Sequence, residues 1–289
     1  MKLGHIIVIA LLGALMALAG FAAAKKSGFD AAPTAEQPAF AHVMETHMLH
    51  CVQSAAPPAP ALDPYRDMRS AVAYDIMQRV GAILGLKIIW NDDIPLAGAA
   101  AYLKEGRGDV LCSLIRPLGP RAAAFDYLRP VDYIPVAAYA RADDARFDGD
   151  LGHINHAAVT IAVIDGRESK AIADADFPNA TQYVVTGQAD GLHMLLAVTT
   201  KKADVAFADS FTAGDFIKDN PGTLKPVAGV GPLRVYGESF AVAPGESRLR
   251  DMLNVALDQL EQNGFIRATL DKYFAAHKGE YFYAAKEWE

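Results

Sequence analysis

The sequence predicts an α/β protein that contains two small, parallel-rich sheets. Short apolar runs typical of buried strands alternate with segments whose apolar residues recur at helical spacing. This alternation starts again after Tyr139, which indicates a second sheet. The segments between strands are long enough for the right-handed crossovers that join parallel strands.

The order of elements follows from these periodicities. In the first part we expect helices over 40–46, 74–84 and 99–104, and strands over 48–52, 86–90 and 110–113. In the second part we expect strands over 138–141, 159–164, 183–185, 204–208 and 233–242, with helices over 169–175, 192–198 and 211–217. A strongly amphipathic helix follows, with apolar residues Leu249, Leu253, Ala256, Leu257 and Leu260, and a short helix ends at Phe274.

The N-terminus is typical of a secretory signal peptide. Lys2 precedes an apolar run from Ile6 to Ala19, and small residues follow at Ala22 to Ala24. We expect residues 1–24 to be cleaved and residues 25–39 to form a disordered leader. An uncleaved membrane anchor is the alternative, because the run from Gly4 to Ala24 is long enough to span a bilayer.

Charge argues against a nucleic-acid partner. The net charge is −7, and loss of residues 1–24 removes one lysine and no acid, which makes it −8. No block of Lys and Arg offers a footprint for phosphates.

The stretch from Asp109 to Pro130 contains the first candidate site. Ser113 ends the predicted strand, a turn from Arg116 to Pro120 follows, and Arg121 is expected to open a helix over 121–125. A strand end followed by a turn and a helix start is a usual ligand site in an α/β sheet, and Arg121 offers a planar fork of donors for a carboxylate. The alternative is an arginine at a solvated helix start.

In order and spacing, several short segments of the chain resemble the extracellular solute-binding proteins of family 3. The matching segments are 74–77, 84–86, 108–110, 120–122, 125–127, 202–205, 256–257, 263–264 and 272–274, with Asp209. The resemblance covers about residues 40–275. It implies a two-lobe type II periplasmic binding fold with a ligand cleft. The restart of the pattern after Tyr139 and a strand that returns before Ala241 indicate lobe 1 over 40–137 and 237–289 and lobe 2 over 138–236.

The resemblance also implies roles for individual residues. Arg121 matches the arginine that grips a ligand carboxylate, and Asp209 matches an acid that often holds the amino group. Asp209 is also a candidate N-cap for the helix that follows it. Residues 166–169 match a helix start that adds backbone donors. The candidate ligand-binding residues are Arg121, Asp209, Ser113, Arg116, Arg167, Glu168 and Ser169.

The sequence departs from the family pattern near the expected cleft. Ala59 stands where an aromatic residue often follows paired prolines, and Arg116 and Arg167 are unusual there. The cleft is therefore expected to have lost aromatic surface and gained charge, which leaves the ligand class open.

Cys51 and Cys112 are the two cysteines, each near the end of a strand in the first sheet. We expect a disulfide, since exported proteins keep such bonds; two buried thiols are the alternative. A metal site built from His47, His50 and Cys51 is not expected, because neighbouring strand residues face opposite sides and too few ligands are present. No cofactor is expected.

Three functions remain open at this point. The first is a monomeric binding protein that hands an amino acid or related carboxylate to the membrane permease of an ABC importer, in the periplasm. The second is a dehydratase-like enzyme of the same fold, for which Glu168 is the candidate general acid. The third is a sensor or accessory protein that has lost transport.

Overall fold

The computed structural model describes residues 38–55, 64–91, 94–186, 190–277 and 281–283. The predicted signal peptide, most of the predicted leader and the paired prolines at 57–58 lie outside these residues. Among the helices of the described part, none is long and apolar enough to cross a membrane.

The first half of the chain forms the helices and strands expected before Arg121, but the helix predicted over 74–84 begins ten residues earlier, at Pro64, and three strands of two residues each were not predicted. Its helices are α1 (Pro38–Thr46), α2 (Pro64–Leu84) and α3 (Leu96–Lys104). Its strands are β1 (Met48–Val52), β2 (Ser54–Ala55), β3 (Lys87–Trp90), β4 (Ile94–Pro95), β5 (Val110–Ile115) and β6 (Asp126–Tyr127).

The second half repeats the alternation, as predicted. Its strands are β7 (Asp132–Arg141), β8 (Thr160–Val163), β9 (Thr181–Val184), β10 (Val205–Asp209), β11 (Leu224–Pro226), β12 (Arg234–Val242) and β13 (Phe282–Tyr283). Its helices are α4 (Glu168–Asp176), α5 (Gly191–Thr199), α6 (Ser210–Asp219), α7 (Ser247–Gln262) and α8 (Phe265–Phe274).

The strands follow the order β3-β1-β5-β12-β7-β10-β8-β9, and β1 pairs with β3 and β5 in parallel. β8 is likewise parallel to β9 and β10. Two long antiparallel strands, β7 and β12, join these parallel groups. The first part of β12 pairs with β7, and its second part pairs with β5 and β6. The two parallel-rich groups of the prediction are present, linked through β7 and β12.

Apolar side chains bury both groups. The core around the first group includes Leu249, Leu253, Ala256, Leu257 and Leu260 of α7, all fully buried, which confirms the predicted amphipathic face. The second group has its own clusters on the two sides of β7, β8 and β10. Phe211 of α6 is an exception, because it packs into the first core beside Phe274 and Tyr281.

The predicted disulfide is present. Cys51 of β1 and Cys112 of β5 are bonded, with Cα atoms 5.3 Å apart, and both residues are fully buried. The bond fastens adjacent strands of the first group, and it leaves Cys51 without a thiolate for a metal. Among the described residues, no group of three or more His, Cys, Asp and Glu could hold a metal ion.

The helix predicted over 121–125 is wrong. Gly119–Arg121 form a single 3₁₀ turn, and the chain then returns as β6. β6 is antiparallel to β12, where Ala241 pairs with Tyr127 and Val242 with Asp126. Hydrogen bonding to a strand more than a hundred residues away overrides a local helical preference of only five residues.

Candidate functional site

Arg116 lies at the centre of a cluster of buried carboxylates. It follows the last residue of β5, and its side chain is only 10% exposed. Its Nη1 donates to Glu168 Oε1 at 2.5 Å, and its Nε donates to Glu238 Oε1 at 3.0 Å. Its Nη2 lies 3.2 Å from Asp209 Oδ2. One guanidinium therefore joins three acids from separate elements.

Each acid is held in place by the element that carries it. Glu168 is the first residue of α4, and Glu238 lies within β12. Asp209 ends β10 and caps α6, where its Oδ1 accepts from the Thr212 N–H at 2.9 Å. Asp209 Oδ2 also accepts from the Thr212 hydroxyl at 3.1 Å. The proposed N-cap role of Asp209 is thus confirmed, and it coexists with the contact to Arg116.

The environment of Asp209 favours its charged form. Burial alone raises the pKa of this carboxyl. The charge of Arg116 and the hydrogen bond from the Thr212 N–H act in the opposite direction and outweigh burial, so the pKa lies below its ordinary value. Asp209 is therefore an ionised partner of Arg116 at neutral pH.

A second arginine and a further acid extend the cluster toward the first group of strands. Arg69 of α2 forms an ion pair with Glu238 and donates from Nη2 to the Leu114 carbonyl at 2.7 Å. Asp132 lies directly opposite Glu238 in the pairing of β7 with β12. Burial first, and then the charge of Glu238, raise the pKa of Asp132 well above its ordinary value. Burial and the charge of Glu238 together outweigh the charges of Arg69 and Arg116, which lower the pKa of Asp132.

Arg121 is placed differently from Arg116. Its Nε is buried, and among the described residues no group accepts a hydrogen bond from that nitrogen. Burial has the largest effect on the Arg121 guanidinium and lowers its pKa. Electrostatic interactions with Tyr127 and Glu168 raise this pKa, whereas those with Arg167 and Arg116 lower it further. These neighbours show that Arg121 lies close enough to the Arg116 cluster to share its electrostatic field.

Tyr127 of β6 provides a second buried polar atom near Arg121. Its hydroxyl also has no hydrogen-bond partner among the residues that the structure describes. Burial raises the pKa of this phenol, and the charge of Arg121 opposes that rise. The buried Nε of Arg121 and the buried hydroxyl of Tyr127 thus belong to residues that interact electrostatically, and neither atom has a hydrogen-bond partner among the described residues. A ligand with acceptor oxygens would satisfy both.

The remaining predicted residues have separate roles. The Ser113 hydroxyl accepts from the Ser54 N–H at 2.7 Å, and the Ser169 hydroxyl accepts from the Ile164 N–H at 3.2 Å. Both bonds fix backbone next to the site. Arg167 is exposed and immediately precedes α4. A ligand contact by any of these three stays a prediction.

Sequence reasoning included Arg116, Glu168 and Asp209 among the candidate ligand-binding residues, but it missed four residues of this region. These are Arg69, Tyr127, Asp132 and Glu238. Glu238 carried a usable signal, because a charged residue lies inside the predicted strand 233–242, directly before its buried end. Asp132 is the first residue of β7 and carried no such signal. Arg69 and Tyr127 carried none, since their places depend on how α2 and β6 pack against distant strands.

Comparison with known proteins agrees with this architecture. The model of bacterial extracellular solute-binding proteins, family 3, matches residues 69–276. A protein of Campylobacter jejuni named "Probable histidine-binding protein" is 23% identical over 205 residues, which cover 69% of this chain and 74% of that protein.

Solved structures show the same fold. An ancestral amino acid-binding protein, described as a precursor of cyclohexadienyl dehydratase, aligns with a TM-score of 0.61 and 19% identity. The alignment covers 81% of this chain and 98% of that protein. The substrate-binding protein of an amino acid ABC transporter aligns with a TM-score of 0.58 and 20% identity, over 79% of this chain and 99% of that protein. The fold is thus the predicted two-lobe type II periplasmic binding fold, and the chain belongs to the bacterial extracellular solute-binding proteins of family 3.

Proposed function

We propose that this protein captures a small carboxylate-bearing solute, an amino acid or a related acid, for the membrane permease of an ABC importer. The observation that carries the proposal is the buried Nε of Arg121, which has no hydrogen-bond partner among the described residues. A buried donor without a partner is unfavourable by about 1–3 kcal/mol, and by more when the group is charged. A ligand carboxylate would remove that penalty and add a charge-assisted contact.

Tyr127 supports the same ligand chemistry. Its hydroxyl is buried without a partner in the described part of the chain, and its pKa responds to the charge of Arg121. A phenol can donate to a carboxylate oxygen that a neighbouring guanidinium also holds. Small-molecule sites use a few polar groups of this kind to fix the orientation of a ligand.

Binding rather than catalysis is the function that the arrangement supports. Glu168, the candidate general acid, accepts a hydrogen bond from Arg116 at 2.5 Å and is buried. One of its oxygens is therefore engaged by an internal cation rather than turned toward a substrate. The curated relative from Campylobacter jejuni is also named as a binding protein.

The cellular setting is part of the proposal. We infer export to the periplasm through the N-terminal segment 1–24, which lies outside the described residues, and action as a monomer. We further infer that the chain closes over its solute as two lobes, 40–137 with 237–289 and 138–236. The boundaries of these lobes fall within β7 and β12, the strands shared by both groups.

A thermal-shift screen of amino acids and small organic acids, followed by calorimetric titration of each hit, tests the proposal. Ligand binding to the native state raises the midpoint of unfolding by mass action. Removal of one partner of a buried charge pair costs about 2–5 kcal/mol, so Arg121→Ala should weaken binding roughly 30- to 3,000-fold. Arg121→Lys should restore only part of the affinity, because an ammonium lacks the planar fork.

The control for this titration is Arg129→Ala. Arg129 pairs with Asp258 on the surface, so its removal also deletes one positive charge but should leave affinity unchanged. Binding by Arg121→Ala within threefold of the wild type would rule out the carboxylate role of Arg121.

A further inference from the structure

We propose that the ligand is a carboxylic acid that carries no ammonium group, because Arg116 already occupies the acids that would hold one. This inference rests on the proposed function and narrows it to one class of solute. Glu168 is one candidate partner for a ligand cation, because its charge acts on Arg121. It is bonded to Arg116.

Two other acids of the site, Asp209 and Glu238, are engaged in the same way. Asp209 contacts Arg116 through Oδ2 and Thr212 through both oxygens. Glu238 contacts Arg116 through Oε1 and Arg69 through Oε2. An incoming ammonium would have to displace Arg116 from acids that it reaches with three different nitrogens. The displaced guanidinium would then lose these ionic contacts while still buried, which is strongly unfavourable.

The balance of charge points to the same class of ligand. The site contains three guanidinium groups and three carboxylates: Arg69, Arg116 and Arg121 with Glu168, Asp209 and Glu238. The fourth acid, Asp132, has a raised pKa and adds little negative charge. Exposed Arg167 adds one further positive charge that acts on Arg121.

A simple acid therefore neutralises an excess positive charge. An amino acid brings an ammonium that finds Glu168, Asp209 and Glu238 each in contact with an arginine, and the net charge of the site stays positive. Electrostatic complementarity in a poorly hydrated site should translate this difference into selectivity.

Matched pairs of ligands test the inference, each pair differing only in the amino group. Suitable pairs are L-glutamate with glutarate, L-leucine with 4-methylpentanoate, L-phenylalanine with 3-phenylpropanoate, and L-histidine with 3-(imidazol-4-yl)propanoate. In any pair that binds, calorimetry should show the acid without the amino group binding at least tenfold more tightly. An amino acid that binds as tightly as its partner, or more tightly, overturns the inference and leaves the proposed function standing. Failure of all acids and all amino acids to bind overturns both.

An Arg116→Ser variant tests the cause of the selectivity. Release of Glu168 and Asp209 should raise the affinity for the amino acid relative to its matched acid at least tenfold. An unchanged ratio in a folded variant would contradict the role given to Arg116.

Arg116→Lys provides a second route if Arg116→Ser does not fold, because it keeps the buried positive charge but replaces a fork of three nitrogens with one ammonium group. At least one of the three acids should then lose its contact, so the affinity for the amino acid relative to its matched acid should rise by threefold or more. A ratio that stays at the wild-type value in folded Arg116→Lys would overturn the role given to Arg116.

Discussion

Arg116 Nη2 lies 3.2 Å from Asp209 Oδ2, so the residue that follows β5 is joined to the residue that ends β10. In the order of strands, β12 and β7 lie between β5 and β10. The contact therefore links the two parallel groups across both connecting strands. The bond from Arg116 to Glu168 makes the same link through the start of α4. Charge pairing at this point holds together elements that are far apart in sequence.

Arg116→Ala should lower the free energy of unfolding substantially. The substitution leaves Glu168, Asp209 and Glu238 buried with less positive charge, and removal of one partner of a buried pair costs about 3–5 kcal/mol. Urea denaturation followed by circular dichroism measures this loss. Arg129→Ala deletes a pair that lies at the surface, with side chains 30% and 49% exposed, and should cost no more than about 1 kcal/mol. Equal losses in the free energy of unfolding for Arg116→Ala and Arg129→Ala would show that the contacts of Arg116 stabilise the fold no more than one surface ion pair does.

Local pattern was sufficient to predict most elements of this fold. The amphipathic face of α7 and the restart of strands and helices after Tyr139 are both present in the structure. Such features depend on periodicity within one segment, which the sequence displays directly. The disulfide was also predictable, because each cysteine lies near the end of a short apolar segment typical of a strand. The two strands, β1 and β5, are adjacent and parallel in the structure.

Features that depend on distant pairing were not predictable. The segment after Arg121 forms β6 rather than a helix, because Tyr127 pairs with Ala241. The seven candidate site residues were chosen as contacts for a solute, whereas Arg116, Glu168 and Asp209 bind one another. Opposite charges that meet in the folded state cannot be paired from a single sequence, since their distance depends on the closure of the whole sheet.

The disulfide should contribute about 4 kcal/mol to stability. It closes a loop with a sequence separation of 61 residues, and the chain-entropy relation gives this value for a loop of that length. The double variant Cys51→Ala/Cys112→Ala should lose this amount in a denaturation experiment without reductant. Dithiothreitol should destabilise the wild type to a similar degree and leave the double variant unaffected. A wild type whose unfolding midpoint ignores the reductant would contradict the prediction.

Gly108→Ala should destabilise the strand edge that precedes β5. A Cβ atom at Gly108 would lie 2.2 Å from Val52 Cγ2, closer than van der Waals contact allows. Overpacking of this kind typically costs about 1–3 kcal/mol. Gly119→Ala is the matched control, since a Cβ there meets nothing within 4 Å. Addition of Val52→Ala to Gly108→Ala should cost less than the sum of the two single effects, because the clashing methyl group is then absent.

Asp132→Asn should change how stability depends on pH. The folded-state pKa of Asp132 lies well above the value of about 3.9 for an unfolded chain, so the folded state binds the extra proton between these two values. This contribution to stability is fully present below the unfolded pKa and is lost as pH rises through the folded pKa, with a slope of at most about 1.4 kcal/mol per pH unit. Asparagine cannot ionise, so the free energy of unfolding of the variant relative to the wild type should increase as pH rises above about 4.

Asp209→Asn is the matched control for this experiment, because its pKa is shifted in the opposite direction. The stabilisation by ionised Asp209 is present above the unfolded pKa and is lost as pH falls through the folded pKa, which lies below about 3.9. The difference between Asp209→Asn and the wild type should therefore stay constant from pH 5 to pH 8, while the difference for Asp132→Asn changes. Urea denaturation at intervals across this range measures both differences. A flat profile for Asp132→Asn would show that the carboxyl opposite Glu238 is ionised throughout, and the buried cluster would then carry one more negative charge than it does with Asp132 protonated.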